Sequence, residues 1–320
     1  MEQYKALDIG KFLAAFIVIA IHAHPVTSKF AKSLYSIAVP FFFIVSSFLF
    51  FKRQGNYRTY AKRVGQLYLV WFVMEIGIVY VRFFKGEDLW DGLVSFFHAL
   101  LLTNTFPASW YLIASIEAIG LCVLLSRKIG NKGLVLIGAL LYIPALLFST
   151  YYGNLPPDWQ DAMSRLYRIV PVTNSFVIAF IYVVLGKIVA ENHKSFNYKT
   201  VNILLVISIV LWGGEILHQI PYLHGYKAFV MIPPIAVLLL ILLKDSRWNS
   251  IFINASTCKM LRNCSTLIYL SHPLFIKYVR RLTGLDHCIT AYLIVALCSC
   301  AFAILVVKAS SKWRLLRYLY

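Results

Sequence analysis

The first strongly apolar stretch of the chain, Asp8 to Pro25 (DIGKFLAAFIVIAIHAHP), carries Lys11 and His22 as its candidate chemical groups. Lys11 stands near the start of this stretch and His22 near its end. On an α-helix the eleven steps from Lys11 to His22 rise about 16 Å and return almost to the same direction, so both side chains are expected on one stripe. An imidazole within a membrane span is a candidate for taking a proton from a hydroxyl group. The structural alternatives are a packed, buried histidine and a lysine that reaches the cytosolic interface.

Three further ionisable residues fall within later apolar stretches. Glu75 lies mid-way along the third stretch, and Glu117 lies about a third of the way into the fourth. A carboxylate in such a place has to be paired, protonated or directed to a polar cavity, so either glutamate could orient His22 or pair with Lys11. His272 precedes a helix-disrupting proline in IYLSHPLFI, a combination that favours a polar, functionally shaped environment.

Several other side chains have both a structural and a functional interpretation, and the sequence does not choose between them. Ser46, within VPFFFIVSSFLFFKR, is small enough to let helices approach closely, and it is also a polar group in an apolar run. Trp110 and Tyr111 open the fourth stretch, where they indicate an interfacial aromatic belt or contacts with a substrate. The segment after the second stretch is strongly basic, which marks a cytosolic loop and would also suit a phosphate-bearing ligand. Its candidate residues are Arg53, Arg58, Lys62 and Arg63.

The composition indicates a protein that crosses a membrane several times. The 320 residues are 60% hydrophobic and 14% charged, with a mean hydropathy of +0.73 and a formal charge of +18. Soluble domains are less apolar and carry more charge, and the positive charge is explained by loops on one membrane face without any nucleic acid. The six cysteines show no metal-ligand spacing and are expected to be free packing residues. No metalloprotease, nucleophile-elbow, P-loop or dinucleotide motif occurs, which disfavours familiar hydrolases and ATP-driven pumps.

Ten apolar stretches are long enough, at about 20 residues, to cross a membrane. They lie at 7–25, 33–51, 65–84, 108–126, 133–150, 171–190, 200–218, 227–243, 264–282 and 288–308. A further run at 88–104 is more amphipathic and predicts an interfacial or re-entrant helix, with an eleventh span as the alternative. With both termini in the cytosol, 21 lysines and arginines fall on the cytosolic side and 10 on the outer side. The predicted fold class is an all-α polytopic membrane helical bundle with both termini cytosolic.

The chain is expected to form one membrane domain over residues 1–320. No internal repeat, low-complexity segment or linker interrupts it. The first apolar run lacks a small-residue cleavage site and is followed by further spans, so it is interpreted as a retained anchor. The outer connection 151–170 has the aromatic and acidic residues typical of an interfacial segment.

Four segments, taken in order, resemble the acyltransferase 3 family of integral-membrane O-acyltransferases over essentially the whole chain. They are LDIGKFLAAFIVIAIHAHP (7–25), VPFFFIVSSFLF (39–50), SWYL (109–112) and IYLSHPLFI (268–276). The family typically has an arginine where Lys11 stands, followed after ten residues by the histidine that His22 matches. Lysine keeps the positive charge but lacks the bidentate fork of arginine.

The resemblance implies transfer of an acyl group, commonly acetyl, from acyl-CoA in the cytosol to a hydroxyl of an extracytoplasmic glycan or lipid-linked sugar. It places the protein in the bacterial cytoplasmic membrane. His22 is then a general base or a transient acyl carrier, and no metal is expected. The other candidates are catalytic Lys11, Glu75 and Glu117, donor-binding Arg53, Arg58, Lys62 and Arg63, and substrate-binding Trp110, Tyr111, His272 and Ser46.

A second interpretation comes from a different functional class. Membrane domains similar to this family also occur fused to serine racemases, where amino acid uptake is the suggested role, and a polysaccharide export role is related. A transporter would use the same polar interior. The absence of an attached racemase domain favours the enzyme. The residues do not distinguish among possible glycan acceptors or indicate an oligomeric state.

Overall fold

The computed structural model describes residues 4–192, 196–245 and 254–320, and these ranges contain helices and no strand. The all-α prediction is therefore confirmed for this part of the chain. Two basic residues counted on the cytosolic side, Lys194 and Arg247, lie outside the described residues. The α-helices are α1 Lys5–Ala23, α2 Lys29–Leu34, α3 Ala38–Lys52, α4 Tyr57–Met74, α5 Ile76–Phe83, α6 Leu89–Leu102, α7 Ser109–Leu125, α8 Asn131–Ser149, α9 Pro157–Ile169, α10 Phe176–Glu191, α11 Tyr198–Gln219, α12 Ile232–Lys244, α13 Ala255–Thr283 and α14 Ile289–Ala309.

Each of the ten predicted stretches contains a helix. Among the described residues, five helical segments are long and apolar enough to cross a membrane: Lys5–Ala23, Lys29–Lys52, Asn131–Ser149, Tyr198–Gln219 and Ile289–Ala309. The count rises to six if the bent pair α4 and α5 is one span. The predicted interfacial run is α6, one of three shorter apolar helices. The chain is thus a multi-pass membrane protein, whereas ten crossings and cytosolic termini stay predictions.

The third predicted span, 65–84, is not the continuous helix that its apolar run suggested. It breaks at Glu75, where α4 and α5 meet with a bend of 75°. Glu75 has a non-helical backbone (φ −105°, ψ 16°) and is only 1% exposed. Beyond the break, residues 84–88 join α5 to α6, and the two helices come close together: a Cβ at Gly92 would lie 2.4 Å from the Phe83 carbonyl oxygen. That close approach requires glycine at position 92.

The described residues form two compact units. The first comprises Met1–Ser46, Asn192–Ile220 and Phe229–Tyr320. Within it α13 packs against both α1 and α14, while α11 packs against α12. A Cβ at Gly10 on α1 would lie 3.0 Å from the Phe41 ring and 3.3 Å from Leu243. This small residue therefore lets α1 approach its neighbours closely.

The second unit comprises Ser47–Glu191 and Pro221–Ala228. Its centre is α10, which is buried over most of its length and packs against α7 and α8. Ser47 Oγ donates a hydrogen bond to the Val183 carbonyl oxygen on α10 at 2.6 Å. Helices α4 and α6 pack against α7, while α5 packs against α4 and α6, and α9 packs against α8. A single domain over the whole chain stays a prediction.

Within each unit, the loops that the count of lysines and arginines assigned to the same side of the membrane lie at the same end of the unit. In the first unit Asp8 meets Arg262 at 3.8 Å, and at the other end Lys29 Nζ donates to the Ile220 carbonyl oxygen at 3.0 Å. In the second unit Lys187 meets Asn131 at one end, whereas Gly153 N–H donates to the Tyr222 carbonyl oxygen at the other. The loop grouping agrees with these contacts. The six cysteines are all free, as expected.

Candidate active site

Helix α1 carries Lys11 and His22 without interruption, so the predicted shared stripe is present. His22 lies in its last turn, and His24 ends the helix in the left-handed conformation (φ 45°, ψ 58°) with its N–H bonded to Ala20 O. The side chain of His22 is exposed rather than packed in the core. The alternative of a buried structural histidine is therefore wrong, and the imidazole is accessible to a second molecule.

The dipeptide His272-Pro273 creates an unusual hydrogen bond inside α13. Proline has no N–H, so the carbonyl of Tyr269, four residues earlier, loses its backbone donor. His272 Nδ1 lies 2.7 Å from that carbonyl oxygen and donates to it. The helix continues through Pro273 to Thr283. The proline therefore does not end the helix but frees an acceptor that fixes the ring of the residue before it.

This bond determines which nitrogen of His272 remains an acceptor. A neutral imidazole with its proton on Nδ1 has its lone pair on Nε2. His272 is fully buried, and its Nε2 has no hydrogen-bond partner within the described part of the chain. A buried polar atom of this kind needs a functional or structural explanation.

The ring beside His272 is that of His22. The two ring centroids are 5.1 Å apart, with an interplanar angle of 34°. A buried acceptor fixed by the backbone thus lies next to an exposed imidazole. The contact is between the two rings, and no hydrogen bond to His272 Nε2 is present among the described residues. Sequence reasoning placed both histidines among the candidates, but proposed a glutamate as the group that orients His22.

Aromatic side chains connect this pair with Lys11. Lys11 Nζ lies 5.6 Å from the centroid of the Phe42 ring, a cation–π contact. The Phe42 ring is 5.6 Å from that of Tyr269, which is 6.1 Å from His272. Phe42 and Tyr269 were not among the predicted residues. Tyr269 had a local signal, because it stands four residues before a proline.

The two predicted glutamates belong to the second unit. Glu75 occupies the break between α4 and α5 described above. Glu117 is half-buried on α7, and its Oε2 finds no hydrogen-bond partner among the described residues. The hydroxyl of Tyr57 donates to the neighbouring Ile116 carbonyl oxygen at 3.3 Å, so a phenol lies near this carboxyl group. The catalytic roles predicted for Glu75 and Glu117 stay predictions.

The remaining predicted residues lie at helix ends and on α3. Trp110 and Tyr111 are half-buried in the first turn of α7, where Ser109 Oγ accepts from the N–H groups of Thr105 and Phe106. Ser46 is half-buried on α3. The four basic candidates are exposed at the end of α3 and the start of α4, where a phosphate could reach them: Arg53, Arg58, Lys62 and Arg63.

A second histidine pair lies at the loop end of the first unit, beyond α1. The rings of His24 and His287 have centroids 5.0 Å apart. Asp286 contacts His287 at 3.3 Å and Arg280 at 2.6 Å. Burial, followed by the charge of Lys32, lowers the pKa of His24, while the hydrogen bond from Arg280 lowers the pKa of Asp286. No group of three or more potential metal ligands occurs among the described residues.

The fold and site define a multi-pass membrane protein in which an exposed histidine, His22, lies beside a buried one, His272. Residues 4–308 match the family Acyl_transf_3, described as an acyltransferase domain. This match covers nearly the whole chain, so the protein belongs to the acyltransferase 3 family, as the four sequence segments predicted.

The curated relatives carry a different kind of name. One "Amino-acid racemase" of Enterococcus faecalis is 25% identical over 347 residues, which covers 98% of this chain and 47% of the relative. A "Serine/alanine racemase" of Enterococcus gallinarum is 21% identical over 335 residues, covering 97% of this chain and 47% of the relative. The chain therefore spans about half the length of these relatives. No solved structure matches it significantly.

Proposed function

We propose that this protein is a membrane-bound O-acyltransferase. It moves an acyl group, commonly acetyl, from acyl-CoA to a hydroxyl of a cell-surface glycan or glycolipid. Family membership supports acyl transfer. The observation that carries the proposal is the contact of exposed His22 with buried His272, whose Nδ1 is bonded to Tyr269 O. Such a pair suits the removal of a proton from a hydroxyl group.

In the proposed reaction His22 is the general base. A ring N–H of His22 turns toward His272 Nε2, which has no hydrogen-bond partner among the described residues, and the other ring nitrogen of His22 takes the proton of the attacking hydroxyl group. The hydroxyl oxygen attacks the thioester carbonyl carbon, a C–O bond forms and the C–S bond breaks. The proton then passes from His22 to the leaving CoA thiolate. Lys11 supplies positive charge at the opposite end of the stripe, where the donor is proposed to enter.

A second candidate function rests on the names of the relatives. Proteins named as amino-acid and serine/alanine racemases match almost the whole of this chain. Because these names refer to amino acids, the second candidate is a membrane domain that carries an amino acid such as serine or alanine, the role that the resemblance also implied. His22 and His272 would then contact the solute rather than activate a hydroxyl group.

One pair of measurements separates the two functions. Purified protein in lipid vesicles is supplied with radiolabelled acetyl-CoA and with glycolipids or glycans from the membranes of the organism that produces the protein. The acyltransferase predicts ester-linked label in the acceptor and release of free CoA. The alternative predicts uptake of labelled serine or alanine into vesicles without CoA. Uptake without any ester formation would overturn the acyltransferase proposal.

The role of Pro273 gives a more specific prediction. Pro273→Ala returns an N–H that competes with His272 for the Tyr269 carbonyl, so the orientation of His272 becomes less defined. A competing hydrogen bond of about 0.5–1.5 kcal/mol corresponds to a roughly two- to tenfold lower initial rate of acyl transfer. The melting temperature should not fall, because alanine favours a helix interior over proline.

The matched control is Pro144→Ala, which removes a proline from inside α8 of the second unit. Its acyl-transfer rate should equal that of the wild type. If Pro273→Ala is also indistinguishable from the wild type, the Tyr269 carbonyl does not orient His272 for the reaction.

A further inference from the structure

A cavity opens at one end of the second unit, where α3, α7 and α10 all end. Its volume is about 410 Å³, within the ~300–1,000 Å³ typical of small-molecule sites. The ends of α3, α7 and α10 line it, and the count of lysines and arginines placed all three of these segments on the cytosolic side. The lining residues are Phe50, Phe51, Gln54, Gly55, Val123, Ser126, Arg127, Lys187 and Glu191. None of the four basic residues predicted to bind the donor is among them.

Part of the cavity lining is a polar network centred on buried Lys187. The side chain of Lys187 is 9% exposed, and its Nζ donates to Glu191 Oε2 at 2.7 Å and to Asn131 Oδ1 at 3.0 Å. Asn131 Nδ2 also donates to Glu191 Oε2, at 3.2 Å. A buried ammonium group with these partners is held in place. Its charge is balanced by Glu191, which keeps a half-exposed carboxylate at the cavity.

The remaining charge on the lining is positive. Arg127 is exposed just after α7, and across the described residues it makes no ion pair. Since Lys187 and Glu191 compensate each other, the lining carries one net positive charge. A guanidinium group available at a cavity is well suited to binding a phosphate in a bidentate manner.

The rest of the lining is largely apolar and aromatic. Phe51 is half-buried, and its ring centroid lies 5.8 Å from Lys187 Nζ. Phe50 is held by the turn that follows it, because a Cβ at Gly55 would lie 2.6 Å from the Phe50 ring. Gln54 in this turn adopts a left-handed backbone with φ of 49°. The lining therefore combines the two phenylalanine rings and Val123 with the amide of Gln54 and the carboxylate of Glu191. Such a lining favours a flat heterocycle that carries an amino group.

We propose that this cavity binds the adenosine phosphate end of the acyl-CoA donor. Arg127 contacts phosphate, the adenine lies against Phe51 and Val123, and Glu191 or Gln54 accepts from the adenine amino group. The choice of ligand rests on the proposed acyltransferase function. The location rests on the cavity and its lining.

The test is equilibrium binding to the purified full-length protein. Calorimetry is run with CoA, with adenosine 3′,5′-bisphosphate and with pantetheine, which lacks the nucleotide. Arg127→Gln should weaken binding of CoA and of the bisphosphate to the same extent, by about tenfold or more, since both lose one charge-assisted contact. The bisphosphate should compete with CoA. Val123→Trp, which fills the cavity, should also weaken both ligands and leave any binding of pantetheine unchanged.

The matched control is Arg165→Gln, which removes an exposed arginine on α9 and should leave all affinities unchanged. Equal affinities for the bisphosphate in Arg127→Gln and Arg165→Gln overturn the cavity proposal, as does a bisphosphate that fails to bind. CoA binding that depends on Arg127 in a protein without acyl transfer supports the cavity and contradicts only the proposed reaction. Acyl transfer with CoA affinity independent of Arg127 contradicts only the cavity.

Discussion

Replacing His22 with alanine is expected to lower the rate of acyl transfer by about 10²- to 10⁴-fold, the usual contribution of a positioned general base. The acceptor hydroxyl then has no group to take its proton as its oxygen attacks the thioester. His22 is exposed in the last turn of α1, so its truncation leaves no cavity in the core. The measurement is ester-linked label formed per unit time in vesicles, together with the melting temperature and the amount of protein in the membrane fraction.

His218→Ala is the matched control for this experiment. His218 is also an exposed histidine near the end of a helix in the first unit, where its Nδ1 contacts the side chain of Gln219 at 3.1 Å. The control variant should retain its acyl-transfer rate and its membrane insertion. A His22→Ala protein with the wild-type rate would contradict the assignment of His22 as the base.

The relative position of Lys11 and His22 was predictable from the sequence because both residues lie on one helix. Lys11 and His22 are eleven residues apart on an uninterrupted α1, and helix geometry alone places them on one stripe. The apolar runs likewise located helices, since a backbone surrounded by lipid has to bond internally. They did not reveal the break at Glu75, because α4 and α5 together are apolar enough for one span even though they meet at a bend of 75°.

The partner of His22 was not predictable in the same way. His272 is 250 residues away, and nothing in local periodicity joins the two rings. Their contact depends on the packing of α1 against α13, which is a property of the folded unit. The fixed tautomer of His272 did have a local signal. A histidine directly before a proline stands three residues after the carbonyl that the proline leaves without a donor, and its Nδ1 can reach that oxygen.

The place of Lys11 also depends on the fold. Its charge and its position near the start of α1 predicted a cation on the cytosolic side, whereas its cation–π contact with Phe42 needs α3 beside α1. A lysine lying over an aromatic ring has its stem directed along the helix surface. The contact places Lys11 at one end of an aromatic series whose other end is the histidine pair.

The second large effect is expected for His272→Phe. Phenylalanine keeps a ring in this fully buried position, but it removes the Nε2 acceptor and the Nδ1–H that bonds to Tyr269. His22 then loses the group that sets its tautomer. The turnover rate should fall on the order of 10²-fold, less than the ~10⁴-fold loss seen when a catalytic triad loses its orienting carboxylate, because the partner here is a neutral imidazole. Because His272 acts through His22, the effect should fall on kcat rather than on KM for acyl-CoA.

His272→Gln distinguishes orientation from packing. A glutamine amide can present a polar atom near the position of the imidazole Nε2, so it should recover part of the activity lost in His272→Phe. A purely structural role predicts the reverse order, because a buried phenylalanine ring fills the space better than a flexible polar chain. Initial rates over a range of pH, with melting temperatures for both variants, decide between these outcomes. Equal kcat in His272→Phe and the wild type would show that the exposed His22 ring needs no buried acceptor beside it.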